Sequence, residues 1–334
     1  FFKFFKNMLY PSSYFNRFCD LLCCMVFISL SMWLKGQITN SESGEGKETL
    51  SASDYTIYVR GLPSDATKQE IVAQVEIMKS KGEKVPHLAA VLVGSDGASM
   101  TYVGAKVKAC ELVGFHSTLI DLSEDTTEEV LLNHINNLNN DEAIDGFIVQ
   151  LPLPKHIDDQ KVLMAINPDK DVDGFHPTNV GRMTLDLPSF LPATPFGILE
   201  LLERYHVETS GKNVVVMGRS HIVGRPMSIL MSQKRKAGNA TVTVVHSRTE
   251  NLPDITRGAD IIVAAIGISE FLTGEMVKDG VVVIDVGITR VPDETKTRGY
   301  RLAGDVDFES VSKKASYITP VPGGVGPMTI AMLL

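Results

Sequence analysis

A regular alternation of helix and strand patterns in the first half of the chain constrains the fold more than any other feature. The apolar spacing predicts helix, strand, helix, strand, helix and strand over 68–79, 88–93, 100–113, 117–122, 127–138 and 146–149. Strands that alternate with helices form parallel sheets with helices on both faces. We therefore expect an α/β fold whose ligands lie beyond the carboxyl ends of the strands.

A strand, a glycine turn and a helix start follow one another in NVVVMGRSHIVGRP, 213–226. Helical spacing begins after the turn, and Pro226 is tolerated only in the first turn of that helix. A helix N-terminus attracts phosphate through its N–H groups and its dipole, and Arg219 and Ser220 add a guanidinium and a hydroxyl. Because the glycine spacing from Gly218 differs from the G-x-G-x-x-G fingerprint, an ordinary strand-to-helix turn is the alternative to dinucleotide binding.

The next predicted strand, 240–245, ends in residues that bear on the choice of cofactor. An acidic side chain at this point usually binds the ribose hydroxyls of NAD, whereas Ser247 and Arg248 stand here. A hydroxyl and an arginine favour the 2′-phosphate of NADP, and the nearby Glu250 keeps NAD as the alternative. Two more strands that end in glycine are predicted over 261–265 and 281–286.

Two reactive side chains share one face of the predicted helix 100–113. Tyr102 and Lys106 are four residues apart, so both point the same way, shortly after a strand end. A tyrosine can stack on a flat substrate, and an amine beside it can donate or accept a proton. An ordinary surface contact between the two is the alternative. Gln150 follows the strand 146–149, where an amide is costly unless a partner hydrogen-bonds to it.

Three carboxylates alternate in the loop PDKDVDGFHP, at Asp169, Asp171 and Asp173. Alternating carboxylates occur in calcium sites, but the glycine and the distal glutamate of an EF-hand loop are not at the required positions. We therefore expect no metal. A lone carboxylate offered to a cationic or N–H-rich ring is the preferred interpretation, and a loop stabilised by Asx turns is the alternative.

The segment ITPVPGGVGPMT, 318–329, combines three glycines with three prolines. Prolines fix φ and glycines allow close backbone approach, so this loop is expected to form the wall of a site. A helix is predicted to begin at about Thr329.

Charge and cysteine content limit the partners and the compartment. The chain has 334 residues and a net charge of -8, which argues against a nucleic-acid or anionic-membrane partner. Only Cys110 of the four cysteines lies beyond residue 24, so a reducing compartment fits better than a disulfide framework. The apolar run 21–34 resembles a signal-peptide core, a presequence or a membrane anchor, although it is short for a membrane span. Because the sequence begins at Phe1, a fragment or a mispredicted start is an equal interpretation of this segment.

The segment YTIYVRGLP, 55–63, suggests a second class of function. An aromatic strand followed by Gly-Leu-Pro resembles the first half of an RNA-recognition motif. That module also needs a basic and aromatic strand about 30 residues later. The sequence at that distance is LAAVLVG, 88–94, without an aromatic or a basic residue, which argues against RNA binding.

Six motifs follow one another over about 57–334: TYVGAK, DGFIVQLPLP, KDVDGFHP, GRSHIVGRP, DVGITR and ITPVPGGVGPMT. In this order they resemble the methylenetetrahydrofolate dehydrogenase/cyclohydrolase family. The resemblance implies two α/β domains across a cleft, the second of them Rossmann-like. It also implies that 5,10-methylenetetrahydrofolate is oxidised with NADP to the 5,10-methenyl cation, which is then hydrolysed to 10-formyltetrahydrofolate, in the one-carbon metabolism that serves purine biosynthesis.

The resemblance assigns roles to the residues at the matching positions. Lys106 would be the catalytic base of the hydrolysis, with its amine held by Gln150. Tyr102 would stack on the folate ring system, and Asp173 would accept hydrogen bonds from the pterin N–H groups. The other implied contacts are Leu151, Pro322 and Gly323 for the folate, and Gly218, Arg219, Ser220, Ser247 and Ile288 for the cofactor.

The same resemblance implies a division of the chain. Residues 1–54 would be an extension and linker outside the family pattern, and 55–194 the folate-binding catalytic domain, joined by a C-terminal helix over 315–334. Residues 195–314 would form the NAD(P)-binding domain. Upstream of Ile57 the sequence departs from the short opening segment that the family commonly has.

Further expectations concern assembly, location and the competing functions. The family implies a homodimer and tetrahydrofolate derivatives as substrates, without a membrane partner for the enzyme domains. A cytoplasmic location is expected, and a mitochondrial one is the alternative if 1–36 form a presequence. A monofunctional dehydrogenase and a catalytically silent folate or nucleotide binder are the alternatives to the bifunctional enzyme.

Overall fold

The computed structural model describes residues 68–94, 97–297 and 299–334. All of these residues fall within one compact unit. The extension 1–54 and the segment 55–63 considered for RNA binding lie outside the described residues. No helix in the described ranges is long and apolar enough to cross a membrane.

The first half of the described chain alternates as predicted. Its elements are α1 (Lys68–Ser80), β1 (His87–Val93), α2 (Gly97–Val113), β2 (His116–Leu122), α3 (Glu128–Asn140), β3 (Gly146–Val149), α4 (Asp159–Ala165) and α5 (Pro177–Thr184). Helix α3 begins where it does because the Thr127 side chain accepts a hydrogen bond from the N–H of Val130. Helices α4 and α5 were not predicted; both are short and begin at side-chain caps, Asp158 and His176.

The three strands of this half form one parallel sheet in the order β2-β1-β3. The central strand β1 is buried at every residue after His87, so it has no open face on which an RNA base could stack. Register places Val91 beside Val149, and the N–H of Gln150 donates to the carbonyl of Val91 at 2.9 Å. The amide side chain of Gln150 is therefore fixed at the carboxyl edge of the sheet.

The second half of the chain builds a larger parallel sheet in the order β10-β7-β6-β4-β5. Its elements are α6 (Ala193–Arg204), β4 (Asn213–Met217), α7 (Gly224–Ser232), β5 (Thr241–Val245), α8 (Leu252–Arg257), β6 (Ile261–Ala264), a 3-10 turn (Gly274–Met276), β7 (Val282–Asp285), β8 (Thr289–Pro292), β9 (Tyr300–Ala303), α9 (Phe308–Ser312), β10 (Tyr317–Ile318) and α10 (Val325–Leu333). Strand β4 matches its predicted bounds, and Pro226 lies in the first turn of α7 as required. The prediction missed α8, α9, the two-residue strand β10 and the antiparallel hairpin β8-β9, all of them short.

Helices α6 and α10 pack closely against each other beside this sheet. A Cβ at Gly197 would lie 2.8 Å from the Cβ of Met328, so glycine is needed for this approach. The predicted start of the last helix at about Thr329 is wrong, because α10 begins four residues earlier at Val325. Pro327 does not prevent this start, since a first-turn residue needs no N–H partner within the helix.

Candidate active site

A pocket of about 200 Å³ lies where elements of both sheets meet. It gathers five of the residues that the sequence singled out: Tyr102, Lys106, Gln150, Leu151 and Asp173. Residues that were not singled out complete it: Phe175, Ala193, Thr194, Ile222, Val223, Val286, Val325, Gly326 and Thr329. The pocket therefore has a polar side from the first sheet and a mainly apolar side from the second.

The centre of the polar side is Lys106, which α2 carries into the pocket. Its side chain is buried, so the surface-contact interpretation of Lys106 is wrong. Its Nζ donates to Oε1 of Gln150 at 3.5 Å, and Nε2 of Gln150 donates to the carbonyl of Leu151 at 2.7 Å. Because its nitrogen is engaged in this way, the amide turns its oxygen toward the amine.

A carboxylate faces the same amine from the loop after α4. Oδ1 of Asp173 lies 4.0 Å from Nζ of Lys106, and both side chains are largely buried. Burial raises the pKa of Asp173 above its usual value, the charge of Lys106 lowers it, and the charge of Asp171 raises it again. An amide and a carboxyl group of raised pKa thus flank the lysine.

The other two carboxylates of that loop have different functions in the fold. Asp171 is buried and accepts from the N–H of His176 at 2.8 Å and from Nδ2 of Asn179 at 2.9 Å, which holds the loop in shape. Asp169 is exposed and lies 4.0 Å from Arg182. Within the described ranges no group of three His, Cys, Asp or Glu side chains could hold a metal ion.

Tyr102 stands one helical turn before Lys106 on the wall of the pocket. Burial raises the pKa of its hydroxyl, so the ring presents a neutral phenol. A Cβ at Gly326 would lie 3.6 Å from this hydroxyl and 3.9 Å from Cδ1 of Ile288. Tyr102 and Ile288 thus approach Gly326, at the start of α10, from two sides.

The turn between β4 and α7 is shaped by glycine. Gly218 has a φ of 109°, and a Cβ there would lie 2.2 Å from the carbonyl oxygen of Ala265. A Cβ at Gly224 would lie 2.3 Å from the carbonyl oxygen of Gly218. Only glycine permits this tight turn, which presents the exposed side chain of Arg219.

The expectation that the start of α7 offers unpaired N–H groups needs a correction. Oγ of Ser220 accepts from the N–H of Val223 and from the N–H of Gly224, each at 3.2 Å. Two of the donors that were expected to meet phosphate are therefore capped by the chain itself.

The end of β5 lies beside this turn, because the N–H of Gly218 donates to the carbonyl of Val245 at 2.8 Å. Ser247 and Arg248 follow and are exposed there, as is Glu250. An exposed hydroxyl and two guanidinium groups, those of Arg219 and Arg248, suit the phosphates of a dinucleotide. The residues present therefore fit the cofactor that the sequence implies.

Several implied contacts stand outside the residues that line the pocket. Pro322 and Gly323 belong to the loop between β10 and α10, and the wall is formed instead by Val325, Gly326 and Thr329 of the same motif. Arg219, Ser220, Ser247 and Ile288 also lie outside the lining, along the carboxyl edge of the second sheet.

Most of the residues that the prediction missed lie inside the six motifs, and only Ala193 and Thr194 lie outside them. Thr194 has a partner that is distant in sequence. Its hydroxyl is 2.8 Å from the hydroxyl of Thr329, which links α6 to α10 at the pocket wall. Ile222 and Val223 come from the glycine turn and bring the second sheet to the pocket.

Family models match most of the described chain. The model for the catalytic domain of tetrahydrofolate dehydrogenase/cyclohydrolase matches residues 62–173, and the model for its NAD(P)-binding domain matches residues 192–334. The chain belongs to this family. The resemblance drawn from the six motifs is thereby confirmed.

Curated relatives and solved structures agree with this assignment. The bifunctional protein FolD of Flavobacterium johnsoniae is 67% identical over 271 residues, 81% of this chain and 92% of that protein. FolD of Cytophaga hutchinsonii is 65% identical over 273 residues, 82% of this chain and 94% of that protein. The crystal structure of the bifunctional FolD from Campylobacter jejuni is 50% identical with a TM-score of 0.73, covering 80% of this chain and 91% of that one.

A further solved structure bears on the cofactor. FolD of Trypanosoma brucei, complexed with NADP and an inhibitor, is 42% identical with a TM-score of 0.75, covering 80% of this chain and 90% of that one. The predicted α/β class, the bifunctional dehydrogenase/cyclohydrolase activity and the nicotinamide dinucleotide cofactor are confirmed by these findings together.

Proposed function

We propose that this pocket carries both reactions of the family on one bound folate. The chain would oxidise 5,10-methylenetetrahydrofolate with NADP and then hydrolyse the 5,10-methenyl cation to 10-formyltetrahydrofolate. The observation that carries the proposal is the shared pocket, in which Lys106, Gln150 and Asp173 lie opposite Ile222 and Val223 of the glycine turn. Catalytic side chains and the dinucleotide edge thus border the same space.

In the hydrolysis, Lys106 would be the base. Water adds to the methenyl carbon, the water loses a proton, and a ring C–N bond then breaks to leave the formyl group. A protonated amine beside a cationic carbon would be repelled, so the amine form of Lys106 is the one that takes the proton. Gln150 holds Nζ through a neutral oxygen, which orients the amine without adding a full negative charge.

Asp173 and Tyr102 would hold the folate rings. The carboxyl group of Asp173 would accept hydrogen bonds from the N–H and amino groups of the pterin. The neutral ring of Tyr102 would stack on the folate, and Leu151 would add an apolar contact beside Gln150. Pro322 and Gly323 would contact the folate from the loop before α10.

In the oxidation, the chain supplies position more than chemistry. NADP, when bound, accepts the hydride from the methylene carbon. The apolar wall of Ile222, Val223 and Val286 would exclude water from the transfer. The cofactor itself would be held by Gly218, Arg219, Ser220, Ser247 and Ile288.

A preference for NADP over NAD would come from Ser247 and the two arginines beside the glycine turn. An acidic side chain at the end of β5 would repel a 2′-phosphate, and the nearest carboxylate, Glu250, is exposed and three residues beyond Ser247. We expect NAD to be used less well rather than excluded.

The domain division is proposed from the packing of the last helix. Helix α10 packs on α6 and also contacts α2 of the first sheet. The contact with α2 supports a folate domain of 55–194 completed by 315–334, with a dinucleotide domain of 195–314 between them, and the packing on α6 crosses the proposed boundary at 195. A homodimer and a cytoplasmic location are proposed from the family alone, with a mitochondrial location as the alternative if 1–36 act as a presequence.

The test is an absorbance assay on the full chain with methylenetetrahydrofolate and either NADP or NAD. Reduction of NADP followed by loss of the methenyl product faster than its spontaneous decay supports both activities. Reduction without accelerated loss would leave a monofunctional dehydrogenase. A folded protein that binds folate and reduces neither cofactor would be a silent binder and would refute the proposal.

A further inference from the structure

Two carboxylates that the proposed mechanism does not use are buried in contact in the second sheet. Asp285 ends β7 and Asp305 follows β9, and their residues are 3% and 0% exposed. Oδ1 of Asp285 accepts from the N–H of Asp305 at 2.8 Å and from the N–H of Gly287 at 3.0 Å. Oδ2 of Asp285 accepts from the N–H of Val306 at 3.1 Å. Asp285 thus joins the end of β7 to the segment after β9.

Asp305 extends the connection to a third segment. Its Oδ2 accepts from the N–H of Ile266 at 2.6 Å and from the N–H of Gly267 at 2.9 Å, just beyond β6. Hydrogen bonds from N–H groups to a carboxylate are about twice as strong as neutral ones. The two carboxyl groups together therefore fix the chain beyond the carboxyl ends of β6 and β7.

The backbone packs tightly around the pair. A Cβ at Gly304 would lie 1.8 Å from Oδ2 of Asp285, and a Cβ at Gly287 would lie 2.2 Å from Oδ1 of Asp305. Oδ1 of Asp305 is itself buried without a hydrogen-bond partner among the described residues. Burial raises the pKa of Asp285 to about 7, and the charge of Asp305 adds to the rise. Burying two carboxyl groups together costs free energy, which indicates that the pair has a role beyond packing.

The segments that the pair fixes adjoin residues that are proposed to hold the dinucleotide. The carbonyl oxygen of Ala265, immediately before Ile266, lies so close to the glycine turn that a Cβ at Gly218 would be 2.2 Å from it. Immediately after Gly287, Ile288 reaches toward Gly326 at the edge of the folate pocket. The pair therefore lies between the glycine turn at Gly218, which would hold phosphate, and Ile288, which would lie near the folate.

We infer that Asp285 and Asp305 are positioning residues for the dinucleotide, which set the distance between the glycine turn and Ile288. This inference rests on the proposed function. The pair touches neither substrate directly and acts through the backbone of the two strand ends. Because Lys106 and Gln150 are held by the first sheet, we expect the hydrolysis to depend little on the pair.

The bifunctional enzyme provides its own internal control for this inference. In the full chain, Asp305→Asn keeps the shape of the side chain and removes its charge. We expect kcat/KM for NADP to fall about tenfold, because neutral hydrogen bonds replace charge-assisted ones. The Kd of NADP, measured by calorimetry, should rise by about the same factor. The KM for methylenetetrahydrofolate and the cyclohydrolase rate, assayed on methenyltetrahydrofolate without NADP, should stay within about twofold.

The matched control is Asp260→Asn. Asp260 lies on the same sheet and accepts from the N–H of Asn213 at 2.8 Å, but at the opposite ends of β4 and β6. It should leave NADP binding and both activities unchanged. Asp285→Asn is a second test, for which we also expect weaker NADP binding and an unchanged cyclohydrolase rate.

Two results would overturn the inference. If both activities fall together, or if neither variant folds, the pair is needed for the fold as a whole. If neither NADP binding nor dehydrogenase activity changes in either variant, the pair does not position the cofactor. A wild-type chain that fails to reduce NADP would instead refute the proposed function, which is a separate result.

Discussion

The two sides of the pocket achieve their geometry in different ways. On the folate side, polar side chains meet one another: Gln150 and Asp173 both lie within 4.0 Å of the amine of Lys106. On the dinucleotide side, glycine allows backbone to approach backbone, as Gly218 does against Ala265. The first side can move a proton, and the second can hold a ligand in place. Substitutions on the two sides should therefore separate the two activities.

The largest expected effect is the loss of hydrolysis in Lys106→Met. This change removes the amine and keeps an unbranched side chain of similar length. We expect the cyclohydrolase rate to fall by about 10³-fold, within the range for a general base, while NADP reduction changes only a few-fold. Methenyl product should then accumulate, which absorbance measures directly. An unchanged rate of methenyl loss would remove Lys106 from the mechanism.

The opposite result, a loss of NADP reduction with the hydrolysis retained, is expected for Gly218→Ala. The added Cβ would meet the carbonyl of Ala265 at 2.2 Å in a backbone conformation with a φ of 109°. We expect kcat/KM for NADP to fall about 100-fold, because a displacement of bound substrate by about 1 Å can lower the rate by this factor. The cyclohydrolase rate should be retained. Steady-state kinetics with each substrate measures both.

Gly211→Ala is the matched control for that variant. Gly211 precedes the same strand and has a φ of 71°, but nothing lies within 4 Å of the added Cβ. It should lose about 1 kcal/mol of unfolding free energy with both activities intact. Equal losses of NADP use in the two variants would show that backbone strain, rather than contact at the turn, is responsible.

A smaller effect is expected where α6 connects the two sides. In Gly197→Ala the new Cβ would lie 2.8 Å from the Cβ of Met328 and force α6 from α10. We expect a loss of about 2 kcal/mol in the free energy of unfolding by urea. Gly181→Ala on α5 has open space and should gain about 0.5 kcal/mol instead. A stable Gly197→Ala protein would contradict the close packing of the two helices.

The smallest expected effect concerns pH and Glu200, also on α6. Burial raises the pKa of Glu200 to about 7, and the charge of Glu203 adds to the rise. The folded protein then holds a proton that the unfolded chain releases above its ordinary value near 4.3. This contribution to stability is therefore complete at low pH and is lost as the pH rises through about 7.

Glu200→Gln should remove this decrease in stability at high pH. We expect the variant to be more stable than wild type by about 1 kcal/mol at pH 8 and nearly equal to it at pH 4. Chemical denaturation at the two pH values measures the difference. Glu309→Gln, on α9 and paired with Lys313 at the surface, is the control. A variant with the same pH dependence as wild type would exclude Glu200 as the buried titrating group.

The two sides also differ in how much of them the sequence could predict. The strands β3 and β4 were predicted with their observed bounds, because short apolar runs ended by polar or glycine residues leave little choice of register. Lys106 and Gln150 were expected beyond the strand ends of one parallel sheet, and the family resemblance placed both in one site with Asp173. This reasoning needs no long-range contacts.

What the sequence could not predict depends on contacts between distant segments. Helix α10 packs through Met328 against Gly197 of α6, and the strand β10 pairs with β7. The hydroxyl of Ser220 also accepts hydrogen bonds from the N–H groups of Val223 and Gly224 at the start of α7, a contact that the sequence did not predict. The pair of Asp285 and Asp305 is 20 residues apart in sequence and has no local pattern.

The central claim is that one pocket serves both reactions, with different residues for each. The most direct test is the inhibition constant of one unreactive tetrahydrofolate analogue, measured against each activity of the full chain: NADP reduction with methylenetetrahydrofolate, and hydrolysis of methenyltetrahydrofolate. If one pocket serves both, the two constants are equal, and Tyr102→Ala weakens both by the same factor. Two different constants, or a variant that weakens only one, would mean that the reactions use separate folate sites and would contradict the account.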